Sequence, residues 1–260
     1  MKNNEKKLYF VGACFFIFLI LIKPAHAEAT KEDNKILYSD SWSDGVNHLL
    51  DVQAPVNAIS VVYSSAFNGN ALRVSIHHSD DFSSVANGTP RGEISFARIF
   101  RFTPGFLYTV EWSTSIPSDY KFDSMQPELF AQILQGAHGG LGPPPFSVRF
   151  VDARYQVEIR GGARAVPHVF VFGDPGADKN NVVHWRLNYR PDHAGTSAVT
   201  DLFMNGKLVV HCKECENAYA NDDDAYLKIG IYKWWWQSRP SDVDERTLYF
   251  GKISVRRDEL

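Results

Sequence analysis

The chain has 260 residues, of which 44% are hydrophobic and 13% aromatic, and its formal net charge is −3. This composition excludes an intrinsically disordered chain, a collagen-like repeat and a protein with many membrane spans. The near-neutral charge balance also argues against a nucleic-acid-binding protein, which usually carries a basic excess. The length allows one all-β domain or two small domains.

The first 27 residues have the features of a secretory signal peptide. Three lysines precede an apolar run from Leu8 to Ile22, and Ala25 and Ala27 are the small residues that a signal peptidase reads. The run is shorter than the ~20 residues of a membrane-spanning helix. We therefore expect a secreted or periplasmic protein without a membrane anchor, whose mature residues 28–260 form a single domain.

Two cysteines, Cys212 and Cys215, follow the predicted signal peptide. In an oxidising compartment we expect this pair to form a small loop disulfide. A redox or zinc site is the alternative, but zinc would need a second pair of ligands at a suitable spacing.

Period-two alternation of apolar and polar residues predicts strands throughout the mature chain. In chain order, clear examples are residues 72–76, 146–151, 154–160 and 183–189. Asn205-Gly206 lies between two further apolar segments and predicts a type I′ hairpin. Many short strands with turn signals between them predict a β-sandwich or barrel.

The first two segments with chemical potential are residues 90–96 and 128–135. In the first, Arg91 and Glu93 share one strand face, opposite a core-facing Ile94. The second carries Gln132 and leads into a Gly/Pro-rich loop at 136–145.

The third segment, residues 226–234, predicts a strand with polar and aromatic side chains on one face and core-facing apolar side chains on the other. Tyr226, Lys228, Tyr232 and Trp234 share one face, and the isoleucines and leucine between them face the core. Gly230 is expected to leave open surface for a ligand. The tryptophans at 234–236 offer flat apolar faces on which sugar rings could stack.

In this order, Arg91-Gly92-Glu93, Gln132-Ile133 and Lys228-Ile229-Gly230-Ile231-Tyr232 resemble the motifs of jelly-roll polysaccharide lyases, a group that includes alginate lyases, glucuronan lyases and the heparin lyase I family. Residues 247–257 also look like the C-terminal strand of the heparin lyase I type. The resemblance runs from about Ser39 onward. It implies an all-β fold, a concanavalin A-like jelly-roll sandwich with a concave substrate groove.

The resemblance further implies β-elimination on a polysaccharide that contains uronic acid. Arg91 and Gln132 would neutralise the uronate carboxylate, and Tyr232 would act as acid and base, helped by the cation of Lys228 or Arg91. Glu93, Arg149, Tyr226 and Trp234 are candidate substrate-binding residues. Arg154, Arg160 and Arg164 could also read anionic groups. No cofactor is required, and we expect a monomer whose partner is the acidic polymer.

One position departs from the family pattern, because Leu134 stands where a histidine is usual. Three explanations are open. Tyr232 could serve as both base and acid, which suits elimination on one face of the sugar. A histidine elsewhere, His138, His77 or His78, could substitute. The protein could also be a non-catalytic carbohydrate-binding jelly roll.

Each motif also has a structural interpretation. Arg91 and Glu93 could form an ion pair on a solvated face, Gln132 could be a core amide, and Tyr232 and Lys228 could lie at the rim of a lectin-like surface. The acidic run 222–224 is either a solvated turn or part of a structural calcium site.

Overall fold

Two antiparallel β-sheets form the fold in the computed structural model, which describes residues 35–163 and 166–258. The strands are β1 (Lys35–Asp40), β2 (Asp51–Gln53), β3 (Ile59–Ser64), β4 (Gly69–His77), β5 (Arg91–Ser95), β6 (Leu107–Ser115), β7 (Glu128–Leu134), β8 (Phe146–Val151), β9 (Arg154–Ile159), β10 (His168–Phe172), β11 (Val182–Arg190), β12 (Val199–Met204), β13 (Lys207–Lys213), β14 (Tyr226–Tyr232) and β15 (Glu245–Asp258). Short 3₁₀ turns occur at Ala86–Gly88 and Ala137–Gly139, and these residues include no α-helix. The predicted all-β class is confirmed.

The eight-stranded sheet has the order β13-β12-β11-β6-β15-β4-β3, with β1 beside β15. The seven-stranded sheet has the order β10-β9-β8-β7-β14-β5-β2. Their inner faces share one hydrophobic core. The sheets approach closely at Gly92, where a Cβ atom would lie 2.9 Å from Val74 and 3.0 Å from Ile76.

The alternation-based strand predictions are confirmed with small shifts of their ends. β8 has the predicted bounds, β9 ends one residue earlier, and β11 extends by one residue at each end. Asn205 and Gly206 both have positive φ values, 49° and 80°, as a type I′ turn between β12 and β13 requires.

Cys212 and Cys215 form the predicted disulfide, with their Cα atoms 5.6 Å apart. It closes a short loop at the end of β13, an edge strand of the eight-stranded sheet. The predicted signal peptide lies outside the described residues. Within the described ranges, no helix has the length and apolarity that crossing a membrane would require.

β14 lies inside the seven-stranded sheet, between β5 and β7. Leu227, Ile229 and Ile231 are fully buried in the core, as the period-two pattern predicts. The residues between them therefore point away from the core. This strand and its two neighbours carry the three motifs.

Candidate active site

A groove of about 980 Å³ lies on the outer face of the seven-stranded sheet. Seven of the predicted site residues line it: Arg91, Gln132, Arg149, Arg160, Tyr226, Tyr232 and Trp234. Part of the Gly/Pro-rich loop, including Leu141, forms one rim. Three motifs that are far apart in sequence thus contribute to one surface.

Strand register explains how the motifs meet. Tyr232 is paired with Arg91 on β5 and with Leu129 on β7, and Lys228 is paired with Gln132. The Arg91 guanidinium lies over the Tyr232 ring, 4.0 Å from its centroid. Arg91, Tyr232 and Gln132 therefore converge on the same part of the groove.

A β-bulge adjusts β7 to this arrangement. Ile229 of β14 pairs with Ala131 and Tyr232 pairs with Leu129, so three steps on β14 match two steps on β7. Leu129 and Gln132 are three positions apart and would point to opposite faces of a regular strand, yet both line the groove. The bulge makes this possible because it interrupts the strict alternation of faces.

Glu93 lies beneath the groove and organises these side chains. It is only 1% exposed, and its Oε2 atom accepts hydrogen bonds from Arg91 Nη1 (3.2 Å) and Lys228 Nζ (2.8 Å). Its Oε1 atom accepts from the Gln132 amide. Glu93 and Lys228 are not among the groove-lining residues. Glu93 therefore belongs to a buried cluster beneath the groove and not to a solvated face.

Arg91 and Gln132 keep donor hydrogens for a ligand. Arg91 also donates to Thr89 Oγ1, but its buried Nε has no partner among the described residues. A guanidinium has five donor hydrogens and an amide has two. Burial lowers the pKa of Lys228, although the Glu93 carboxylate opposes that shift.

A second charged group lines the groove on β8 and β9. Arg149 donates to Glu158 Oε1 (2.9 Å) and to Ser147 Oγ (2.7 Å), and Arg160 pairs with the other Glu158 oxygen. The Arg149 guanidinium is 5.7 Å from the Trp234 ring centroid. Two arginines share one carboxylate, so this end of the groove keeps a net positive charge.

The remaining two candidate arginines are Arg154 and Arg164. Arg154 is exposed, donates to the Gly173 carbonyl at 2.6 Å and does not line the groove. Arg164 lies outside the described residues.

Arg101 also lines the groove, although no motif in the sequence marked it as a site residue. Its guanidinium lies 5.0 Å from the Tyr226 ring centroid and donates to the Asp224 carbonyl at 2.8 Å. Burial raises the pKa of Tyr226, and the charge of Arg101 opposes this shift. Arg101 follows β5 in an irregular segment, so no periodic pattern marks it.

The three tryptophans do not all present faces to the groove. Trp234 and Trp235 line it, with ring centroids 5.3 Å apart. Trp236 is fully buried, and its Nε1 donates to the Val243 carbonyl at 3.0 Å. The predicted sugar-stacking role is therefore wrong for Trp236, because β14 ends at Tyr232 and the chain then turns.

Gly230 also differs from the prediction that it leaves space for a ligand. It has a φ of +136°, and a Cβ atom there would lie 2.7 Å from the Cα of Glu93. Glycine is needed here because the backbones of β5 and β14 approach so closely.

No histidine lines the groove among the described residues. Leu134, which stands at the position of the family histidine, lines the groove and is paired with Tyr226 on β14. His138 is exposed and lies 3.1 Å from the Asp223 carboxylate, which raises the pKa of the imidazole. His77 lies near Asp80 and Glu245, and His78 contacts the Trp236 carbonyl.

The acidic run 222–224 fits a calcium ion poorly. Ligand atoms of Asp223 and Asp224 lie close together in a group whose third member is His138. Calcium prefers oxygen ligands to an imidazole nitrogen. Asp222 is not part of that group; it is buried and accepts a hydrogen bond from the Gly136 amide at 3.0 Å. These residues do not supply the six to eight oxygens of a calcium site.

A polysaccharide lyase family model matches residues 39–254, most of the chain. The chain belongs to the polysaccharide lyase family. Its enzyme class is therefore the one that the sequence motifs implied. None of the curated proteins matches this lyase in sequence.

Solved structures with a similar fold include two lyases. An endo-β-1,4-glucuronan lyase from the fungus Trichoderma reesei has a TM-score of 0.59 and 13% identity over 87% of this chain and 91% of its own. The family 7 alginate lyase A1-II′ has a TM-score of 0.57 and 15% identity over 81% of this chain and 95% of its own. These likenesses confirm the jelly-roll fold.

The fold alone does not determine the reaction. The catalytic domain of an endo-1,3-β-glucanase (laminarinase) from Thermotoga petrophila has a TM-score of 0.58 and 14% identity, covering 88% of the lyase and all of that domain. The family match and the groove residues therefore carry the argument about chemistry.

Proposed function

We propose that this lyase cleaves a polymer of D-uronic acid by β-elimination, with Tyr232 as both base and acid. One observation carries the proposal: Tyr232 lines the same groove as Arg91 and Gln132, with the Arg91 guanidinium 4.0 Å from its ring centroid. The phenolate of Tyr232 would be the base in this reaction.

Neutralisation of the substrate carboxylate is the first requirement. The C5 proton becomes removable only when charge that develops on the adjacent carboxylate is stabilised. Arg91 and Gln132 line the groove, donate to Glu93 and retain further donor hydrogens. They would hold the carboxylate and stabilise the enolate-like intermediate.

Proton transfer then completes the elimination. The Tyr232 phenolate takes the C5 proton, the electrons of that bond form the C4–C5 double bond, and the C4–O4 bond breaks. The departing O4 receives the same proton, which restores the phenolate. No second protein acid is consumed.

The stereochemistry of this step restricts the substrate. One hydroxyl can serve both transfers only if the C5 hydrogen and O4 lie on the same face of the ring. This holds for β-1,4-linked D-glucuronate and D-mannuronate, whereas in their C5 epimers the two groups lie on opposite faces. The absence of a groove-lining histidine among the described residues supports the single-residue route.

We also propose that the lyase is exported and acts as a monomer without a cofactor. The signal-peptide features of residues 1–27 support export. The chemistry above does not use calcium.

The test measures ultraviolet absorbance of the new double bond on polyglucuronate, polymannuronate and the C5-epimeric polymers. We expect Tyr232→Phe to lower turnover by roughly 10²–10⁴-fold, the usual contribution of general acid–base catalysis. Tyr226→Phe is the matched control, because Tyr226 lines the same groove on the same strand. Folded protein that gives no signal on any polymer, or an active Tyr232→Phe, would refute the proposal.

A further inference from the structure

A second cavity, of about 700 Å³, lies on the eight-stranded sheet. It is thus on the opposite side of the sandwich from the groove. Its lining includes two tyrosines, one arginine and several hydroxyl and amide groups: Tyr63, Tyr249, Arg73, Ser115, Ser118 and Asn180. No carboxylate lines it, and Arg73 is its one charged residue.

Arg73 lies in the floor of this cavity in a fixed row of residues. It is paired with Tyr249 of β15, and Tyr249 is paired in turn with Ser115 of β6. Arg73 Nη2 donates to Ser75 Oγ at 3.0 Å, and no ion pair joins Arg73 to an acid in the described ranges. A guanidinium with one of its five donors engaged retains strong capacity for an anion.

The arginines of the groove differ in this respect. Arg91 is paired with Glu93, and Arg149 and Arg160 share Glu158. Their charges are partly compensated within the protein. The charge of Arg73 is not compensated in this way, so the second cavity favours an anionic ligand.

The tyrosines supply flat apolar surface beside this charge. Tyr63 is 68% exposed, and its hydroxyl donates to Asn68 Oδ1 at 3.0 Å, which restrains the ring. Tyr249 is partly buried next to Arg73. A cavity with aromatic faces and a few convergent polar groups is typical of a small-ligand site.

We propose that this cavity is a second, non-catalytic binding site for carboxylated sugar residues of the polymer. Arg73 binds the carboxylate, the tyrosines contact the apolar face of the ring, and Ser115, Ser118 and Asn180 bind its hydroxyl groups. The identity of the ligand rests on the proposed function, because the same uronate polymer would occupy both faces. Such a site keeps the lyase on its polymer between cleavage events.

Calorimetric titration with uronate tetrasaccharides tests the proposal. The probes are β-1,4-linked tetraglucuronate and tetramannuronate, titrated into Tyr232→Phe protein so that they are not cleaved. We expect two sites per chain for at least one probe. Cellotetraose, which has the glucuronate backbone without carboxylates, should bind the second site at least about 10-fold more weakly.

Two variants in the same background locate the site. Arg73→Met should weaken binding at one site by roughly 10–100-fold, the effect of a lost charged hydrogen bond. Tyr63→Ala changes an exposed side chain, so it should fold normally and weaken the same site. Arg186→Met is the matched control, because Arg186 is exposed on the same sheet but lies outside the cavity. It should retain both sites.

The outcomes separate this inference from the proposed function. A single site per chain, or two sites that Arg73→Met leaves intact, would overturn the second site while uronate cleavage by the unaltered lyase still stands. Tetrasaccharide binding that depends on Arg73, without cleavage of any uronate polymer, would instead refute the proposed function alone.

Discussion

Glu93 and Glu128 are both buried carboxylates that accept hydrogen bonds from several side chains, but they serve different parts of the molecule. Glu93 accepts hydrogen bonds from Arg91, Gln132 and Lys228. Arg91 and Gln132 line the groove. Glu128 accepts hydrogen bonds from the Tyr120 hydroxyl and from Arg246, and neither of these residues lines the groove. Similar chemistry therefore orders the proposed active site in one place and stabilises the fold in the other.

The position of Glu128 explains its structural role. It begins β7 of the seven-stranded sheet, whereas Arg246 belongs to β15 of the eight-stranded sheet. Their ion pair therefore links the two sheets, and the Arg246 guanidinium lies 3.9 Å from the Tyr120 ring centroid. All three residues are buried. Removing one partner would leave a charge without compensation inside the sandwich.

The largest expected effect follows from that arrangement. Glu128→Gln should lower the free energy of unfolding by roughly 3–5 kcal/mol, because Arg246 would stay buried and unpaired. Turnover per folded molecule should remain close to that of the unaltered lyase. Urea unfolding and the absorbance assay measure the two quantities. A variant that is stable but inactive would show that Glu128 also serves the groove.

The corresponding change at Glu93 should act mainly on turnover. Glu93→Gln removes the negative charge and one of the two acceptor oxygens that position Arg91 and Gln132. Misplacement by about 1 Å can cost ~10²-fold in rate. The double variant Glu93→Gln/Lys228→Met removes the cation with the lost partner. We expect it to recover stability but not kcat. If kcat recovered together with stability, Glu93 would have a structural role like that of Glu128, and its proposed role in positioning the groove residues would be wrong.

Asp222 offers a third buried carboxylate, one without a cationic partner. Its Oδ2 atom has no hydrogen-bond partner in the described chain, and burial raises the pKa of the carboxyl. The native state therefore holds its proton to higher pH than the unfolded state does. The cost of burying the charge is absent in acid and grows as pH rises through the raised pKa.

Asp222→Asn should consequently stabilise the lyase at neutral pH by up to about 1 kcal/mol, the smallest effect of the three. The gain should disappear in acid, below the ordinary aspartate pKa of about 3.9. Thermal unfolding at both pH values measures it, with and without a calcium chelator. The opposite result would be that Asp222→Asn destabilises the lyase and that the chelator destabilises the unaltered lyase. Together these two results would indicate a metal ion bound at this turn.

Local patterns predicted most strands because side-chain alternation needs only neighbouring residues. The bounds of β8 and the Asn205-Gly206 turn are examples. The motif order also identified Arg91, Gln132 and Tyr232, which meet in one groove.

Features that depend on partners remote in sequence could not be predicted. Glu93 looks like a surface acid until Lys228 and Gln132, more than 35 positions away, are seen to contact it. Gly230 looks open until its distance from β5 is known. Trp236 continues a tryptophan run, but its burial follows from the turn that ends β14.

The one-residue offset between β14 and β7 has a consequence for how this enzyme can vary. Loss of a single residue from β14 between Ile229 and Tyr232 would reverse the facing of everything beyond it and carry the phenol inward. An isoleucine would then face the groove in place of the tyrosine. Substitutions on this strand keep the alternation of its faces, whereas a change of one residue in its length reverses it.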